Sequence, residues 1–396
     1  MTKLFDPVTH ISPVVRDMAP SGIRKFFELA ATTKDVISLG VGEPDFVTPW
    51  HIREACFYAL EKGYTMYTSN LGLPELRVEI SRYLEQRFGL SYDPAQEILV
   101  TVGASEAVDL ALRALISPGT EVLVPEPCYV AYKPCVILAG GTPVSVPTSF
   151  ADGFTLKAEE LRKYLTPRTR VLILSYPNNP TGSVLSYGEL QKLSQVIKEH
   201  DLVVVADEIY AELTYERQHV SIASMPGMLK RTILINGFSK AFAMTGWRLG
   251  YAAACREFIE AMLKIHQYTM LCAPITAQMA AIEALRNGLG DVETMREQYN
   301  YRRRLMLSRL RDMGLCCPEP KGAFYVFPSI ANTGLTSEQF AERLLKEEGV
   351  AVVPGSVFGA GGEGHIRCSY AASMAQLLEA LKRMERFVQK LEVGAA

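Results

Sequence analysis

Lys240 is the residue of this sequence best suited to chemistry, because its neighbours are not those of an ordinary lysine. It follows an apolar segment, Thr232 to Asn236, that is typical of a fully buried strand, and it lies between Phe238 and Phe242. Lysine is normally a solvated surface residue. A lysine held among apolar groups loses its proton easily, and an unprotonated amine can attack an aldehyde to form a Schiff base. The alternative is that Lys240 is a surface lysine at a strand end. We would prefer that interpretation for an isolated lysine, but not for a lysine within this run.

A group suited to phosphate follows this lysine. Arg248 lies eight residues further on and offers a fixed fork of donors that matches a phosphate. An aldehyde and a phosphate on one small molecule suggest pyridoxal phosphate. A helix N-terminus presents unpaired N–H groups and a positive dipole end, so a second phosphate seat is the turn after the apolar segment 98–102, with the residues Gly103, Ala104 and Ser105. Many strand–helix turns look like this one, so the turn alone does not indicate a phosphate site. The presence of Arg248 is what favours that interpretation.

The run that contains Lys240 resembles the lysine-attachment signature of the class I and II aminotransferases. The matching residues are Gly237-Phe-Ser239-Lys240, Ala243-Met, Gly246 and Arg248-Leu-Gly250. The resemblance extends over nearly the whole chain and is greatest to the branch of prokaryotic aspartate, aromatic and acetyl-diaminopimelate aminotransferases. It implies a pyridoxal phosphate-dependent enzyme of fold type I, in which Lys240 is catalytic and Gly237, Ser239 and Arg248 contact the cofactor.

Asp207 follows four apolar residues, Val203 to Ala206, so its carboxylate should be partly buried. A buried charge needs a partner, and the protonated pyridine nitrogen of the cofactor is a suitable one, because holding that proton lets the ring act as an electron sink. The alternative role is a helix N-cap. The match of Asp207-Glu-Ile-Tyr210 to the family motif favours the cofactor. The resemblance also implies that Tyr210 and Asn179 bond the phenolic oxygen of the ring and that Tyr129 stacks on its face.

The resemblance implies that the substrate binds through Gly42, Asn179 and Arg367. The glycine before Glu-Pro-Asp, here Gly42, places its backbone near the substrate carboxylate in the family, although a turn alone could require a glycine there. Arg367 lies in an alternating segment where the family has a carboxylate-binding arginine, and a guanidinium can bind a carboxylate in a bidentate manner. An isolated arginine on a strand would more often be solvated or ion-paired. Asn179, within Asn-Pro-Thr-Gly, could otherwise be a turn residue.

Tyr67 lies in a polar loop that ends where Pro74 opens a helix. An aromatic residue in a loop is more often a packing group than a chemical one. In the family, the matching tyrosine reaches the cofactor phosphate of the neighbouring subunit. The resemblance therefore implies a homodimer whose sites need both chains.

The order of apolar strands and helices predicts an α/β fold with a mostly parallel sheet and helices on both faces. Candidate groups come just past the carboxyl ends of five predicted strands, where ligands bind in open α/β sheets. This argument is independent of the family resemblance. The predicted strands are Ile98–Val102, Glu121–Pro125, Val171–Ser175, Val203–Ala206 and Thr232–Asn236.

We expect a large cofactor-binding domain at 46–290 and a smaller α+β domain formed by 1–45 and 291–396. The smaller domain should contain a short helix from Gly22 to Ala31. It should also contain a highly charged helix near 295–314, which we interpret as a solvated spacer with one apolar face. The glycine-rich stretch Gly359 to Gly364 fits GxGxxG, but it lacks the strand–helix frame of a dinucleotide site and is predicted to be a loop.

The composition excludes several classes of protein. Of the 396 residues, 48% are hydrophobic and 21% are charged, which is ordinary for a globular chain. The 41 basic and 43 acidic residues nearly balance, so neither nucleic acid nor an anionic membrane surface is an expected partner. No spacing of ligands predicts a metal site. The eight cysteines contain no CxxC pair, and the start of the chain lacks the apolar core of a signal peptide, so we expect reduced thiols and a cytoplasmic location.

The leading hypothesis is an aminotransferase that works by ping-pong half-reactions, with 2-oxoglutarate as the acceptor by resemblance. Aromatic amino acids, aspartate and acetyl-diaminopimelate-like amino acids remain open as donors. The same fold could instead perform lyase, decarboxylase or synthase chemistry, because fold does not fix reaction. A non-catalytic ligand-sensing module is the alternative of a different class, and the intact lysine argues against it.

Overall fold

The computed structural model describes residues 5–20, 22 and 35–394, and a seven-stranded sheet forms its centre. The described strands are β1 (Ile37–Ser38), β2 (Ile98–Thr101), β3 (Glu121–Glu126), β4 (Thr142–Pro147), β5 (Thr169–Ser175), β6 (Val203–Asp207), β7 (Thr232–Gly237), β8 (Gly250–Ala253), β9 (Tyr325–Val326), β10 (Val350–Ala351), β11 (Val353–Pro354) and β12 (Ile366–Ser369). The strand order in the central sheet is β2-β8-β7-β6-β5-β3-β4. Only β8 runs antiparallel to its neighbours, so the predicted mostly parallel α/β sheet is confirmed.

Helices connect these strands. The described α-helices are α1 (Pro13–Arg16), α2 (Trp50–Glu61), α3 (Pro74–Phe88), α4 (Gly103–Leu115), α5 (Tyr132–Leu138), α6 (Ala158–Arg162), α7 (Tyr187–Glu199), α8 (Arg256–Thr269), α9 (Ile275–Asn287), α10 (Leu289–Asp312), α11 (Ser337–Glu348) and α12 (Met374–Gly394). Short 3-10 helices occur at Pro7–His10, Ile222–Ser224, Leu229–Arg231, Thr245–Trp247, Ala331–Thr333, Gly355–Phe358 and Ala360–Gly362. No helix of the described residues is long and apolar enough to cross a membrane.

Both faces of the central sheet are covered by helices, as predicted. Successive side chains of a strand point to opposite faces. Val122 and Val124 of β3 therefore pack with α4, α5 and α8, whereas Leu123 packs with α6 and α7 on the other face. The same alternation in β2 sends Leu99 to the first face and Val100 to a cluster with α2, α3 and α9. Burial on both faces explains why these strands read as continuous apolar runs.

Two strands of the central sheet were absent from the sequence prediction. β4 carries a proline near each end and is an edge strand, which is where a sheet tolerates proline. β8 has the sequence GYAA, with no β-branched residue, and it lies within the lysine-attachment run. Each of the predicted strands agrees with an observed strand to within one or two residues at its ends.

The C-terminal part of the chain has its own small sheets. Strands β11, β12 and β9 form an antiparallel sheet, and β1 pairs with β10 in parallel, which ties residues 37–38 to residues 350–351. This pairing supports the proposal that the N-terminal segment joins 291–396 in a small domain. The division at 45/46 and 290/291 stays a prediction. The expected Gly22–Ala31 helix lies outside the described residues except for Gly22.

The charged helix near 295–314 is not a solvated spacer. It is part of α10, and Tyr299 and Met306 are fully buried in the core shared with β9, β12 and α12. Two of its arginines, Arg302 and Arg303, are buried as well. The number of charged residues in this helix could not predict that these two guanidinium groups hydrogen-bond to acceptors on neighbouring segments.

Two of the capping boxes among the described residues provide a test of the proposed domains. Ser186 caps α7 and Thr336 caps α11, each with a reciprocal bond from the third helical residue. Ser186→Ala and Thr336→Ala should each lower the free energy of unfolding by about 1 kcal/mol. If the two domains unfold separately in urea, each variant will lower the midpoint of one transition only. The exposed Ser308→Ala in α10 is the control. A single transition that both variants shift equally would contradict the division.

Candidate active site

A cavity of about 440 Å³ lies at the carboxyl ends of the parallel strands. The predicted site residues that line it are Gly42, Ala104, Ser105, Tyr129, Asn179, Asp207, Tyr210, Ser239, Lys240, Arg248 and Arg367. Gly103 precedes the lining residue Ala104 and Gly237 lies two positions before the lining residue Ser239, and neither glycine lines the cavity itself. Tyr67 lies elsewhere on the surface. The structure therefore gathers into one cavity groups that are up to 325 positions apart, from Gly42 to Arg367.

Lys240 follows the end of β7 and points into the cavity. Its Nζ donates a hydrogen bond to the carbonyl oxygen of Gly42 at 2.7 Å. Burial lowers the pKa of this amine from 10.5 to about 8. The carboxylate of Glu43 opposes that shift, while the positive charges of Arg367 and Arg248 add to it. The lysine thus has the low proton affinity that its apolar neighbours predicted.

Asp207 ends β6 and is buried. Its Oδ2 accepts a hydrogen bond from the hydroxyl of Tyr132 at 2.7 Å, and its Oδ1 accepts one from the N–H of Ile209 at 3.2 Å. Burial raises the pKa of this carboxyl above its usual value, and the two hydrogen bonds act in the opposite direction. No helix begins at residue 208, so Asp207 is not a helix N-cap. A cationic ring nitrogen in the cavity would complete its environment.

The predicted phosphate seat combines Arg248 with the start of α4. Gly103 has a φ of +80°, and a Cβ atom placed on it would lie 2.5 Å from Nη2 of Arg248. A Cβ on Gly250 in β8 would lie 2.5 Å from the backbone nitrogen of Ala104. Gly103 therefore lets the guanidinium approach the first turn of the helix, and Gly250 lets β8 approach the same turn. The first N–H groups of a helix have no partner within it, so a phosphate fits beside Ala104 and Ser105.

A buried hydrogen bond between two side chains holds this helix start in place. The carboxylate of Glu106 accepts a hydrogen bond from the N–H of Val102 and bonds Nδ1 of His266 at 2.6 Å. His266 lies in the last turn of α8, which packs beside α4. The pair fixes the turn between β2 and α4, and with it the direction of the N–H groups that face the cavity.

Arg367, on β12, is the third cation that lines the cavity. Its Nη1 donates to Oδ1 of Asn179 at 2.8 Å, and its Nη2 donates to the carbonyl oxygen of Gly40 at 2.6 Å. The guanidinium lies over the rings of Tyr325 and Phe358. Its Nε is buried and has no hydrogen-bond partner among the described residues. A carboxylate acceptor suits this arginine.

Three neighbours of the predicted residues were missed by the sequence analysis. Tyr132 bonds Asp207, the hydroxyl of Tyr325 bonds that of Tyr210 at 2.7 Å, and Thr245 lines the cavity and donates to Glu43. Tyr132 lies three positions after Tyr129, which was the one available signal. Nothing in the local sequence of Tyr325 indicates its role, because its partners come from distant segments.

Two further sequence expectations concern loops. The glycine-rich stretch 359–364 forms short 3-10 turns rather than a strand–helix unit, in agreement with rejection of a dinucleotide site. Gly359 packs instead against the carboxylate of Glu126. Tyr67 is 80% exposed, so its expected contact with a second subunit stays a prediction.

Comparison with known proteins gives a consistent result. The family model for aminotransferase class I and II matches residues 34–384. The chain is 58% identical to the putative aminotransferase YugH of Bacillus subtilis, over 96% of this chain and 99% of that protein. It is 50% identical to an aspartate aminotransferase of Pyrococcus abyssi, over 94% and 96%. The crystal structure of an aromatic aminotransferase from Pyrococcus horikoshii superposes with a TM-score of 0.89 at 50% identity, covering 93% of this chain and 99% of the other.

The depressed pKa of Lys240 has a measurable consequence. The fraction of free amine rises as the pH increases through about 8. The rate at which cofactor-free protein captures pyridoxal phosphate should therefore rise with a midpoint near pH 8, as measured by stopped-flow absorbance. In Glu43→Gln the midpoint should move to lower pH, because the carboxylate of Glu43 raises this pKa. Titration of the free cofactor affects both measurements equally, so the difference between the two midpoints reports on Lys240. A midpoint above pH 10, or one that Glu43→Gln leaves unchanged, would contradict this account.

Proposed function

The chain belongs to the class I and II aminotransferases, and from that premise we propose the roles of its cavity residues and 2-oxoglutarate as its acceptor. It is a pyridoxal phosphate-dependent enzyme that transfers the amino group of an amino acid to a 2-oxo acid. The observation that carries the proposal is the convergence of Lys240, Asp207 and Arg248 in one cavity. When bound, the cofactor supplies a ring that accepts negative charge from the Cα of the amino acid.

Lys240 is the proposed catalytic residue. Its amine is buried, and its pKa of about 8 lies close enough to neutral pH for it both to accept and to return a proton. It would attach to the cofactor aldehyde in the resting enzyme and, once released, move the proton of the substrate Cα. Each half-reaction would end with one product leaving, which gives ping-pong kinetics.

The other side chains are proposed to bind and orient. Asp207, supported by the hydroxyl of Tyr132, holds a proton on the ring nitrogen. Tyr210 and Asn179 bond the phenolic oxygen, and Tyr129 stacks on the ring face. Beside Arg248, the cofactor contacts are completed by Gly103, Ala104, Ser105, Gly237 and Ser239. Arg367, Asn179 and the backbone of Gly42 are proposed to bind the substrate α-carboxylate, for which a guanidinium is well suited.

The amino donor remains a choice among three classes. The names of the relatives include aspartate aminotransferases, aromatic aminotransferases and a probable N-acetyl-LL-diaminopimelate aminotransferase. The sequence identity of this chain to these three relatives, whose names give different donors, lies between 46% and 50%. Sequence identity therefore does not select one donor class. We propose a donor from these classes, and a screen of amino acids by the absorbance change of the bound cofactor would identify it.

A homodimer is proposed in which Tyr67 reaches the phosphate in the partner's cavity. An exposed apolar surface supports this, since such surfaces mark interaction sites. Asn70, in the same loop as Tyr67, donates to the carbonyl oxygen of Leu271 at 2.6 Å and so joins two parts of that surface. Its exposed side chains are Trp50, Phe57, Tyr58, Tyr64, Met66, Tyr67, Tyr268, Met270 and Leu271.

A cytoplasmic location is proposed as well. All eight cysteines are free thiols. Free thiols in this number suit a reducing compartment, where structural disulfides are rare.

Replacement of Lys240 tests the assignment of the catalytic residue. Lys240→Ala should lower the rate at which the best donor converts 2-oxoglutarate to glutamate by about 10²–10⁴-fold, because proton transfer would lose its carrier. Borohydride should fix the cofactor to the Lys240 peptide in the wild-type protein and to no peptide in the variant. Lys230→Ala, near the start of β7, is the control. A fully active Lys240→Ala protein would refute the role.

The stoichiometry of the same assay separates transamination from lyase chemistry. With an amino acid alone, the wild-type protein should stop after one equivalent of oxo acid, and 2-oxoglutarate should restart it. Continuous turnover without an oxo acid would contradict the proposed function.

Hybrid dimers test the role of Tyr67. Tyr67→Ala and Lys240→Ala should each be nearly inactive alone. After the two are unfolded together and refolded, about half of the dimers should be hybrids with one intact site, which gives about a quarter of wild-type activity. A mixture no more active than its components would contradict a tyrosine shared between subunits.

A further inference from the structure

Two adjacent arginines in the middle of α10 are buried outside the cavity. The side chains of Arg302 and Arg303 are 9% and 3% exposed. A buried charge is costly unless it is paired and hydrogen-bonded, and a buried ion pair is often no more stabilising than apolar groups of the same volume. Their presence therefore calls for a reason other than stability. Neighbouring residues of a helix point in different directions, so each arginine reaches a different segment.

Arg302 holds the turn from residue 40 to residue 46. Its Nη1 donates to Oδ1 of Asp45 at 2.7 Å, and its guanidinium lies 5.1 Å from the centre of the Phe46 ring. This turn carries two carbonyl groups that face the cavity. The oxygen of Gly40 accepts from Arg367, and that of Gly42 accepts from Lys240. Fixing Asp45 thus fixes the backbone beside both cations.

Arg303 holds the segment from residue 320 to residue 325. Its Nη1 donates to the carbonyl oxygen of Pro320 at 2.7 Å, and Glu319 and Glu216 lie within ion-pair distance. The next two residues in this segment, 321 and 322, both donate their N–H groups to the carbonyl oxygen of Gly182 at 2.9 Å. Gly182 ends the turn that begins near Asn179, the partner of Arg367. The segment itself ends at Tyr325, whose ring lies 4.5 Å from the Arg367 guanidinium.

The two segments meet at the substrate side of the cavity. Gly42, in the first segment, packs so closely on the hydroxyl of Tyr325, in the second, that a Cβ atom would collide with it. A small movement of either segment would therefore shift the groups around Arg367. Lys240 follows a strand of the central sheet, Asp207 ends one and Arg248 precedes one. Of these three side chains, Lys240 bonds the 40–46 turn, through the carbonyl oxygen of Gly42.

We propose that Arg302 and Arg303 are positioning residues for the binding of the substrate α-carboxylate. Arg302 acts through Asp45 on the 40–46 turn, and Arg303 acts through Pro320 on the 320–325 segment. Neither touches the substrate. This inference rests on the proposed function, because it assumes that Gly42, Asn179 and Arg367 bind the carboxylate. It predicts a loss of affinity for the amino donor without a loss of affinity for the cofactor.

The test compares Arg302→Lys, Arg303→Lys and Asp45→Asn with the wild-type protein, using L-tyrosine or L-aspartate, whichever the wild type turns over, and 2-oxoglutarate. Lysine keeps the charge and loses the planar fork. Each variant should raise the donor KM about tenfold, because small misplacement of binding groups is costly. The Kd for pyridoxal phosphate, measured by titration of cofactor-free protein, should stay within about twofold. The exposed Arg304→Lys on the same helix is the control.

Double variants separate the two routes. Asp45→Asn combined with Arg302→Lys should raise KM no more than either change alone, since both break one contact. Asp45→Asn combined with Arg303→Lys should raise it further than either change alone, since the two changes break different contacts. If Arg302→Lys does not fold, the half-buried Asp45→Asn still carries the test.

Three results would overturn the proposal. Unchanged donor KM in all three single variants would show that neither arginine positions the site. A parallel loss of donor affinity, cofactor affinity and melting temperature would show a general structural role. A wild-type protein that binds pyridoxal phosphate but transaminates neither of these donors nor an acetyl-diaminopimelate-like amino acid would overturn the proposed function as well, and this outcome is recognised before any variant is measured.

Discussion

The structure depends on the burial of one amine. Lys240 lies among apolar and aromatic side chains at the end of β7, and removal of its ammonium from water is what lowers its pKa to about 8. An exposed lysine at the same place would remain protonated at neutral pH and would be a poor nucleophile. The rest of the cavity is arranged so that this buried amine keeps one acceptor, the carbonyl oxygen of Gly42, and does not pair directly with a carboxylate.

The reversed strand β8 has a geometric role next to this amine. Because β8 lies between β2 and β7, it brings the start of α4 beside the lysine run. Gly250 in β8 allows Ala104 to approach, and Gly103 allows the guanidinium of Arg248 to approach. The ends of two elements that are far apart in the chain thus form one seat for an anion. This arrangement requires glycine at both positions, since a Cβ atom at either would push the helix or the arginine away.

The sequence was sufficient to predict five of the seven strands of the central sheet and to place candidate groups just past their ends, because a strand buried on both faces is a continuous apolar run and ligands bind at carboxyl ends. It was not sufficient to predict the antiparallel direction of β8, which depends on pairing rather than on local pattern. Tyr132 and Tyr325 were missed for a similar reason, since their hydroxyl groups meet Asp207 and Tyr210 only in the folded chain. For α10 the sequence analysis predicted exposure where the structure shows burial. Charge on a helix usually indicates a solvated face, but Arg302 and Arg303 are buried.

The three cations of the cavity follow one electrostatic rule. Lys240, Arg248 and Arg367 each donate to neutral oxygens: Gly42, Thr245, and Gly40 with Asn179. A neutral acceptor satisfies a donor without cancelling its charge, whereas a carboxylate would do both. Their positive charges consequently remain available to a phosphate and to carboxylates. Asp207 is the one buried acid among the lining residues, so a cofactor with a cationic ring and an anionic tail would place its ring nitrogen beside Asp207 and its tail beside Arg248.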